Sequence, residues 1–259
     1  MINPKGISPA DVSRPDLFSM GLDALICDLD GVVTDTASVH AASWKDLFDG
    51  YLKDRAARDG GPFIPFSLAE DYIALVDGKP RYDGVDSFLR SRGIVLPWGT
   101  PEDSVEAETV CGLGNRKNTL FRAALGRDGV TLFDGAVAVI RAFKQAGGRV
   151  AVVSSSKNCG PVLDRAGLSD LFDATVDGLL AAEEGLPGKP APDTFLRGAA
   201  LLGVAPESSC VVEDAVSGVA AGVAGGFRLV VGIDRGAGEE ALRAAGAHCV
   251  VRDLGEFLP

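Results

Sequence analysis

The sequence of 259 residues lacks the features that would direct it to a membrane or to a nucleic acid. No apolar run is long enough to span a bilayer, and the N-terminal residues contain no apolar core of the kind that a signal peptide requires. The 25 basic residues are outnumbered by 36 acidic ones, for a net charge of −11, whereas nucleic-acid binders normally carry a basic patch. We therefore predict a cytoplasmic protein with no nucleic-acid or membrane partner, and we expect a monomer.

Cysteine is scarce, and its spacing excludes two further classes of protein. The five cysteines form an odd count and contain no C-x-x-C motif, which argues against a disulfide framework and against a zinc site. Free thiols in apolar segments behave as small hydrophobic side chains, and reduced cysteines are typical of the cytosol. We predict five reduced structural cysteines, at positions 27, 111, 159, 210 and 249.

Short apolar runs that end in turn residues predict the strands of a parallel sheet. Helical patterns separate these runs; residues 135–146, for example, place apolar side chains on one helix face before a Gly-Gly pair. Alternation of strand and helix implies a parallel sheet with right-handed crossovers. The predicted strands lie within residues 22–31, 149–154, 174–178, 210–214, 227–234 and 248–253.

One long segment, residues 37–128, differs from the rest of the chain because it has helical patterns, more charge and no comparable strand. We predict that it forms a helical cap domain, and that residues 15–36 and 129–259 form the core. Residues 1–14 are predicted to be an N-terminal extension. The predicted fold class is α/β, with a Rossmann-like parallel sheet core and a helical cap domain inserted after the first strand.

Four polar clusters lie at the ends of predicted strands or in the loops that follow them. The carboxyl ends of parallel strands form one edge of a sheet, and ligands bind there. Each cluster alone has a simpler explanation, because Asp and Ser commonly form turns and helix caps at strand ends. Together the four predict a site at this edge. They are Asp28 with Asp30, Ser154–Asn158, Lys189, and Glu213 with Asp214.

The four clusters supply the chemistry that phosphoryl transfer needs. Four carboxylates at one sheet edge repel one another unless a cation lies between them, and hard oxygen ligands at an open site favour Mg²⁺. One carboxylate can act as a nucleophile and form an acyl-phosphate, and a second acid two residues further on can act as general acid and base. The Ser154 hydroxyl and the Lys189 ammonium can hold the phosphoryl oxygens.

The same four clusters resemble the motifs of the haloacid dehalogenase superfamily. The motifs here are D-L-D-G-V-V-T-D-T at 28–36, the strand-end Ser154, G-K-P-A-P-D at 188–193 and the E-D pair at 213–214. The resemblance implies that Asp28 is the nucleophile and Asp30 the acid/base, and an aspartate at the second position favours phosphotransfer over dehalogenation. The phosphate ligands that it implies are Ser154, Ser155 and Lys189. The implied magnesium ligands are Asp28, the Asp30 carbonyl, Glu213 and Asp214.

A narrower resemblance links the sequence to the β-phosphoglucomutases. It rests on D-T-A-S-V-H-A-A-S-W at 35–44, D-G-K-P-R at 77–81, R-K-N at 116–118 and S-S-S-K-N at 154–158. In that family a helical cap closes over a glucose phosphate. The resemblance therefore implies a phosphorylated sugar as substrate, interconversion of β-glucose 1-phosphate and glucose 6-phosphate, and glucose 1,6-bisphosphate as an activator.

The narrower resemblance also assigns roles to residues outside the four motifs. His40 is implied to assist the acid/base aspartate and to contact the substrate, and Arg81 to bind the phosphate that is not reacting. The other implied substrate contacts are Thr36 and Trp44, which would line the hinge and the cap side, Lys117 and Asn118 from the cap, and Ser156, Lys157 and Asn158 from the core.

Several of these residues, and the activity itself, have alternative interpretations. Trp44 also suits a cap core and His40 an ordinary helix position, whereas Arg81 and Lys117 also suit a solvated surface. The same chemistry fits a phosphatase, in which water attacks the aspartyl-phosphate. A binding module without activity is disfavoured, because none of the expected catalytic positions has been lost.

Overall fold

Six short strands form one sheet in the computed structural model, which describes residues 15–258. Every neighbouring pair of strands is parallel, and the strand order is β3-β2-β1-β4-β5-β6. This arrangement confirms the predicted α/β fold class. The strands are β1 (Ala24–Cys27), β2 (Arg149–Val153), β3 (Ala174–Val176), β4 (Ser209–Glu213), β5 (Leu229–Ile233) and β6 (Cys249–Val251).

Helices occupy most of the sequence between the strands. A π-helix, Leu68–Val76, and two 3₁₀ turns, Pro206–Ser208 and Leu254–Phe257, complete the described elements. In residues 15–258 no helix is both long and apolar enough to cross a membrane. The α-helices are α1 (Ala37–Asp59), α2 (Arg81–Ser91), α3 (Val110–Asp128), α4 (Asp134–Gln145), α5 (Cys159–Ala166), α6 (Gly178–Glu183), α7 (Asp193–Leu202), α8 (Val216–Ala224) and α9 (Glu239–Ala244).

The central strands are buried along their whole length, as their continuous apolar sequences predict. Ile26 and Val211 on adjacent strands share one hydrophobic cluster with Phe195 of α7 and Val219 of α8. The strand predicted within residues 22–31 is shorter than its apolar run. It ends at Cys27, and the chain after Asp28 enters a turn that includes Gly31, which has a positive φ of 89°.

The chain divides into two compact units, and each has its own core. One unit is Thr34–Thr131, and the other combines residues 15–33 with residues 132–258 of the described chain. In the helical unit, the rings of Phe48 and Phe88 lie 4.1 Å apart between their centroids. The predicted N-terminal extension, residues 1–14, lies outside the described residues.

Candidate active site

Asp28 is the first residue after β1, and its position is set by backbone and side-chain hydrogen bonds. Its backbone N–H donates to the Val212 carbonyl of β4 at 2.9 Å, which extends the sheet pairing by one residue. Its Oδ2 accepts a hydrogen bond of 2.9 Å from the backbone N–H of Asp30. The carboxylate is buried, and it therefore lies at the carboxyl edge of the sheet in a fixed orientation.

Lys189 reaches the same edge from the loop before α7. Its ammonium group forms ion pairs with Asp28 Oδ1 and, at 2.5 Å, with Glu213 Oε1. The lysine side chain is only 1% exposed, and its Nζ lies 4.8 Å from the centroid of the Phe195 ring. The fold thus brings together three charged residues that are far apart in the sequence.

The buried charges of this cluster shift one another's ionisation. Burial raises the pKa of Asp28 well above its ordinary value, and Glu213 and Asp30 raise it further, whereas Lys189 opposes them. Burial by itself lowers the pKa of Lys189, but Asp28 and Glu213 outweigh burial and raise it overall. The lysine therefore stays charged.

The loop after β2 holds the acid/base candidate from the other side. The Ser154 hydroxyl donates to Asp30 Oδ2 at 3.1 Å, and its oxygen accepts a hydrogen bond of 3.1 Å from the Ser156 backbone N–H. The Asn158 backbone N–H donates to Ser156 Oγ, also at 3.1 Å. These bonds fold the S-S-S-K-N segment into a compact turn beside Asp30. The predicted roles of Ser154–Asn158 in binding phosphate and sugar stay predictions.

The end of β4 contributes two acidic residues with different surroundings. Glu213 is fully engaged, because Oε1 pairs with Lys189 and Oε2 accepts a hydrogen bond of 2.6 Å from the Ala215 backbone N–H. Asp214 lies directly against Gly31, where a Cβ atom would overlap its carboxylate. Glycine at position 31 thus makes room for Asp214 beside the Asp28–Asp30 turn. The observed contact of Glu213 is with Lys189, and its predicted role as a metal ligand stays a prediction.

The oxygen atoms at this edge fit a magnesium ion. Asp28, the Asp30 carbonyl and Asp214 are hard oxygen donors, which Mg²⁺ prefers, and the Gly31 contact places the Asp214 carboxylate beside the turn that carries Asp28 and Asp30. Within residues 15–258, no three His, Cys, Asp or Glu side chains are arranged as a metal centre by themselves. Mg²⁺ does not need such a cage, since it commonly binds one or two carboxylates and keeps several waters.

In the helical unit, the structure brings His40 and Lys117 together. The Lys117 ammonium contacts His40 Nδ1, and the His40 ring stacks on Phe121 with centroids 3.9 Å apart. Lys117 Nζ also lies 5.0 Å from the centroid of the Trp44 ring. An ammonium group can only donate, so Nδ1 of His40 is the acceptor when Lys117 is charged.

Lys117 and Trp44 are almost completely buried, whereas side chains that bind a sugar directly are expected to be accessible to it. Lys117 is 3% exposed and Trp44 is 5% exposed, and Trp44 packs in the helical core with Phe48 and Phe88. The structure therefore favours the core interpretation of Trp44, and Lys117 is not a surface charge. Thr36 is also buried, with its hydroxyl 2.6 Å from that of Thr34. Asn118 is half-buried on α3.

Arg81 begins α2, and its guanidinium lies 5.8 Å from the centroid of the Tyr82 ring. Burial lowers the pKa of this half-buried arginine. Among residues 15–258, no carboxylate forms an ion pair with Arg81, whereas Arg90 on the same helix pairs with Asp86 at 2.6 Å. A partly desolvated guanidinium without a protein carboxylate is suited to an anionic ligand.

Two glycines and one arginine at this edge were not predicted from the sequence. Gly31 faces Asp214, and Gly178 approaches the backbone of Ser155 so closely that a Cβ atom would collide with it. Arg235, which follows β5, donates to the Gly31 carbonyl. Arg235 could have been found from the sequence, because it lies just after a predicted strand. Polar residues in that position were the basis on which the other clusters were chosen.

Comparison with known proteins identifies the family. The family model of haloacid dehalogenase-like hydrolases matches residues 22–226. A β-phosphoglucomutase of Mycobacterium tuberculosis is 54% identical over 238 residues, 91% of either chain. Hexitol phosphatase A of Escherichia coli is 28% identical over 212 residues, 82% of this chain and 83% of the phosphatase. A solved β-phosphoglucomutase structure from Clostridium difficile has a TM-score of 0.71 and 26% identity, and covers 92% of this chain and 93% of that one.

The fold, the strand-end cluster and these matches define an enzyme of the phosphotransferase and phosphatase class. The chain belongs to the haloacid dehalogenase superfamily and, within it, to the β-phosphoglucomutase-like subfamily. Both resemblances found in the sequence are thereby confirmed.

Proposed function

We propose that this enzyme is a magnesium-dependent β-phosphoglucomutase, which interconverts β-glucose 1-phosphate and glucose 6-phosphate through an aspartyl-phosphate on Asp28. The observation that carries the proposal is the buried Asp28–Lys189–Glu213 cluster with Asp30 two residues further on. The relative at 54% identity, which bears the name β-phosphoglucomutase, supports this choice of sugar. The predicted monomeric state and cytoplasmic location belong to the same proposal.

Each residue of the cluster has its own role in phosphoryl transfer. A carboxylate oxygen of Asp28 forms a bond to phosphorus as the bond from phosphorus to the sugar oxygen breaks, and the carboxyl of Asp30 gives its proton to that oxygen. The donor in this first half is glucose 1,6-bisphosphate, which leaves as a glucose monophosphate. In the second half, Asp30 takes a proton from the free hydroxyl of the other glucose monophosphate as that oxygen attacks the aspartyl-phosphate, the bond between phosphorus and Asp28 breaks, and the bisphosphate is formed again. Ser154 and Lys189 hold the phosphoryl oxygens, and Glu213 keeps Lys189 in place.

Three groups of this chain would hold the magnesium ion: the carboxylates of Asp28 and Asp214 and the carbonyl of Asp30. When bound, the ion supplies positive charge that offsets the repulsion between the Asp28 carboxylate and the phosphate. It also favours the ionised form of Asp28, whose pKa burial raises in its absence.

We expect activity to require magnesium and calcium to inhibit. Ca²⁺ binds the same oxygen atoms with more ligands and a looser geometry, so it does not impose the octahedral arrangement. Turnover is to be measured during titration with either ion after treatment with a chelator. Full activity in excess chelator, with residual metal excluded by elemental analysis, would contradict the proposal.

A phosphatase is the second candidate function, because one of the relatives is a hexitol phosphatase. Phosphorus NMR distinguishes the two activities by their products. The purified protein is incubated with β-glucose 1-phosphate, Mg²⁺ and a catalytic amount of glucose 1,6-bisphosphate. Accumulation of glucose 6-phosphate supports the mutase. Release of inorganic phosphate as the main product supports the phosphatase.

Arg81 is proposed to bind the phosphate of the bisphosphate intermediate that is not reacting. We expect Arg81→Ala to weaken glucose 1,6-bisphosphate binding about 30-fold, the lower end of the loss for a broken charge pair, because Arg81 is only half-buried. Hydrolysis of acetyl phosphate, which has no second phosphate, should change little. Binding is to be measured by the concentration dependence of activation.

Arg90→Ala is the matched control for Arg81, since Arg90 lies on the same helix and its exposed ion pair with Asp86 contributes little. This variant should bind the bisphosphate like the wild type. Unchanged mutase turnover in Arg81→Ala, or an equal loss with acetyl phosphate, would show that Arg81 is not the second phosphate site.

A further inference from the structure

Arg235 connects the loop after β5 to the turn that carries the acid/base aspartate. Its Nε donates a hydrogen bond of 2.9 Å to the carbonyl of Gly31, the residue that follows Asp30. On its other side, Gly31 is in contact with the Asp214 carboxylate, and its φ of 89° lies in a region that glycine adopts readily and other residues rarely do. The carbonyl that Arg235 binds belongs to the peptide between Gly31 and Val32, so Arg235 holds the backbone one residue after Asp30, on the residue that also contacts Asp214.

The guanidinium of Arg235 is itself held in place by two further contacts. It lies 3.5 Å from the centroid of the Phe133 ring, and its Nη2 is 3.4 Å from Asp253 Oδ2. Asp253 is fixed in turn, because its Oδ1 accepts a hydrogen bond of 2.7 Å from the Gly255 backbone N–H within a capping box. A planar guanidinium can stack on a ring and donate sideways at once, which a lysine ammonium cannot do.

We propose that Arg235 is a positioning residue for Asp30, acting through the Gly31 carbonyl. This role rests on the proposed function, since it concerns the proton that Asp30 gives to the leaving sugar oxygen. Arg235 does not need to touch the substrate. Its contribution is to hold the backbone of the turn at residues 28–31, so that the Asp30 carboxyl stays within reach of the sugar oxygen. The Ser154 hydroxyl, which donates to Asp30 Oδ2, holds the carboxyl itself.

Two phosphoryl donors with different leaving groups test this role. Transfer from glucose 1,6-bisphosphate to Asp28 expels a sugar alkoxide, which must gain a proton from Asp30. Transfer from acetyl phosphate expels acetate, a weak base that leaves without a proton. If the Asp30 carboxyl is displaced, phosphorylation of Asp28 by the bisphosphate should therefore become slower, whereas phosphorylation by acetyl phosphate should keep its rate.

The experiment measures the single-turnover rate of Asp28 labelling by either donor at saturating Mg²⁺. We expect Arg235→Ala to slow labelling by glucose 1,6-bisphosphate about 10- to 100-fold, as for a displaced catalytic group, and Arg235→Lys to lie between this variant and the wild type. Labelling by acetyl phosphate should stay within about threefold of wild type, since it needs no proton from Asp30. Arg243→Ala is the control, because Arg243 is exposed on α9 and forms an ion pair with Glu239 of the same helix.

Each other outcome overturns the assignment. An equal loss with both donors in Arg235→Lys would show a general structural role, and no loss in Arg235→Ala would show that the contact is dispensable. Absence of labelling of the wild-type protein by either donor would instead refute the aspartyl-phosphate itself, and the role of Arg235 with it.

Discussion

Replacing Asp28 by asparagine abolishes both covalent labelling and turnover, with a loss of roughly 10⁴-fold or more, as expected when a nucleophile is removed. The side chain keeps its shape, but its single amide oxygen can accept from only one of the two donors that the carboxylate serves, the Asp30 N–H and the Lys189 ammonium. It cannot attack phosphorus as a carboxylate does. Mass spectrometry of the peptide that contains residue 28, after incubation with acetyl phosphate, measures the labelling directly.

Two variants serve as controls for Asp28→Asn. Asp23→Asn changes an exposed carboxylate just before the opposite end of β1 and should leave labelling unchanged. Asp30→Asn should still be labelled by acetyl phosphate but should not transfer the group to a sugar. Turnover in Asp28→Asn, or a label on a different residue, would contradict the covalent mechanism.

Replacing Lys189 by methionine is expected to have the largest effect on stability. It leaves Asp28 and Glu213 buried together without their cation, and removal of one partner of a buried ion pair typically costs about 3–5 kcal/mol. We also expect loss of turnover, because Lys189 is proposed to hold the phosphoryl oxygens. Urea unfolding gives the change in the free energy of unfolding, and the mutase assay gives the activity.

The destabilisation of Lys189→Met should depend on pH in a defined direction. Burial raises the pKa of Asp28, and removing Lys189 removes the group that lowers it. A carboxyl whose pKa is higher in the folded than in the unfolded protein favours folding as it becomes protonated. The deficit relative to the wild type should therefore shrink as the pH falls from 8 toward 5, and a constant deficit would contradict this explanation.

A second substitution separates the charge imbalance from the lost packing of Lys189. Adding Glu213→Gln to Lys189→Met removes one buried carboxylate and should restore part of the stability but none of the activity. Lys144→Met is the control, because Lys144 pairs with Asp173 near the surface and its loss should cost less than about 1 kcal/mol. A double variant no more stable than Lys189→Met would show that charge is not the cause.

Local patterns were sufficient to predict the sheet and most of its polar edge. All six strands were predicted, because each lies in a short, mostly apolar segment bounded by turn residues; β1, β4 and β5 are buried along their whole length, whereas β3 buries only Val176. Asp28, Ser154 and Lys189 were chosen because they lie after such runs or in the loops between them. The roles assigned to them remain proposals, but the structure places Lys189 against Asp28, and Ser154 against Asp30.

The helical unit was less predictable, because burial there depends on which helix faces meet. The sequence left open whether Trp44 belongs to a core and whether Lys117 is a surface charge. The structure places Trp44 in the helical core and buries Lys117 against His40. The periodicity of one helix does not predict contacts between two helices, and His40 and Lys117 lie on α1 and α3.

The sequence by itself determined the fold class, the family and the edge of the sheet where the chemistry lies, because hydrophobic periodicity and strand-end motifs are local properties. Only the tertiary structure decided which charges meet: Lys189 with both Asp28 and Glu213, and Arg235 with the Gly31 carbonyl. These contacts join residues that are 24 to 204 positions apart. They arise because the parallel sheet brings the carboxyl ends of its strands, and the loops near them, to one edge, and no local pattern encodes them.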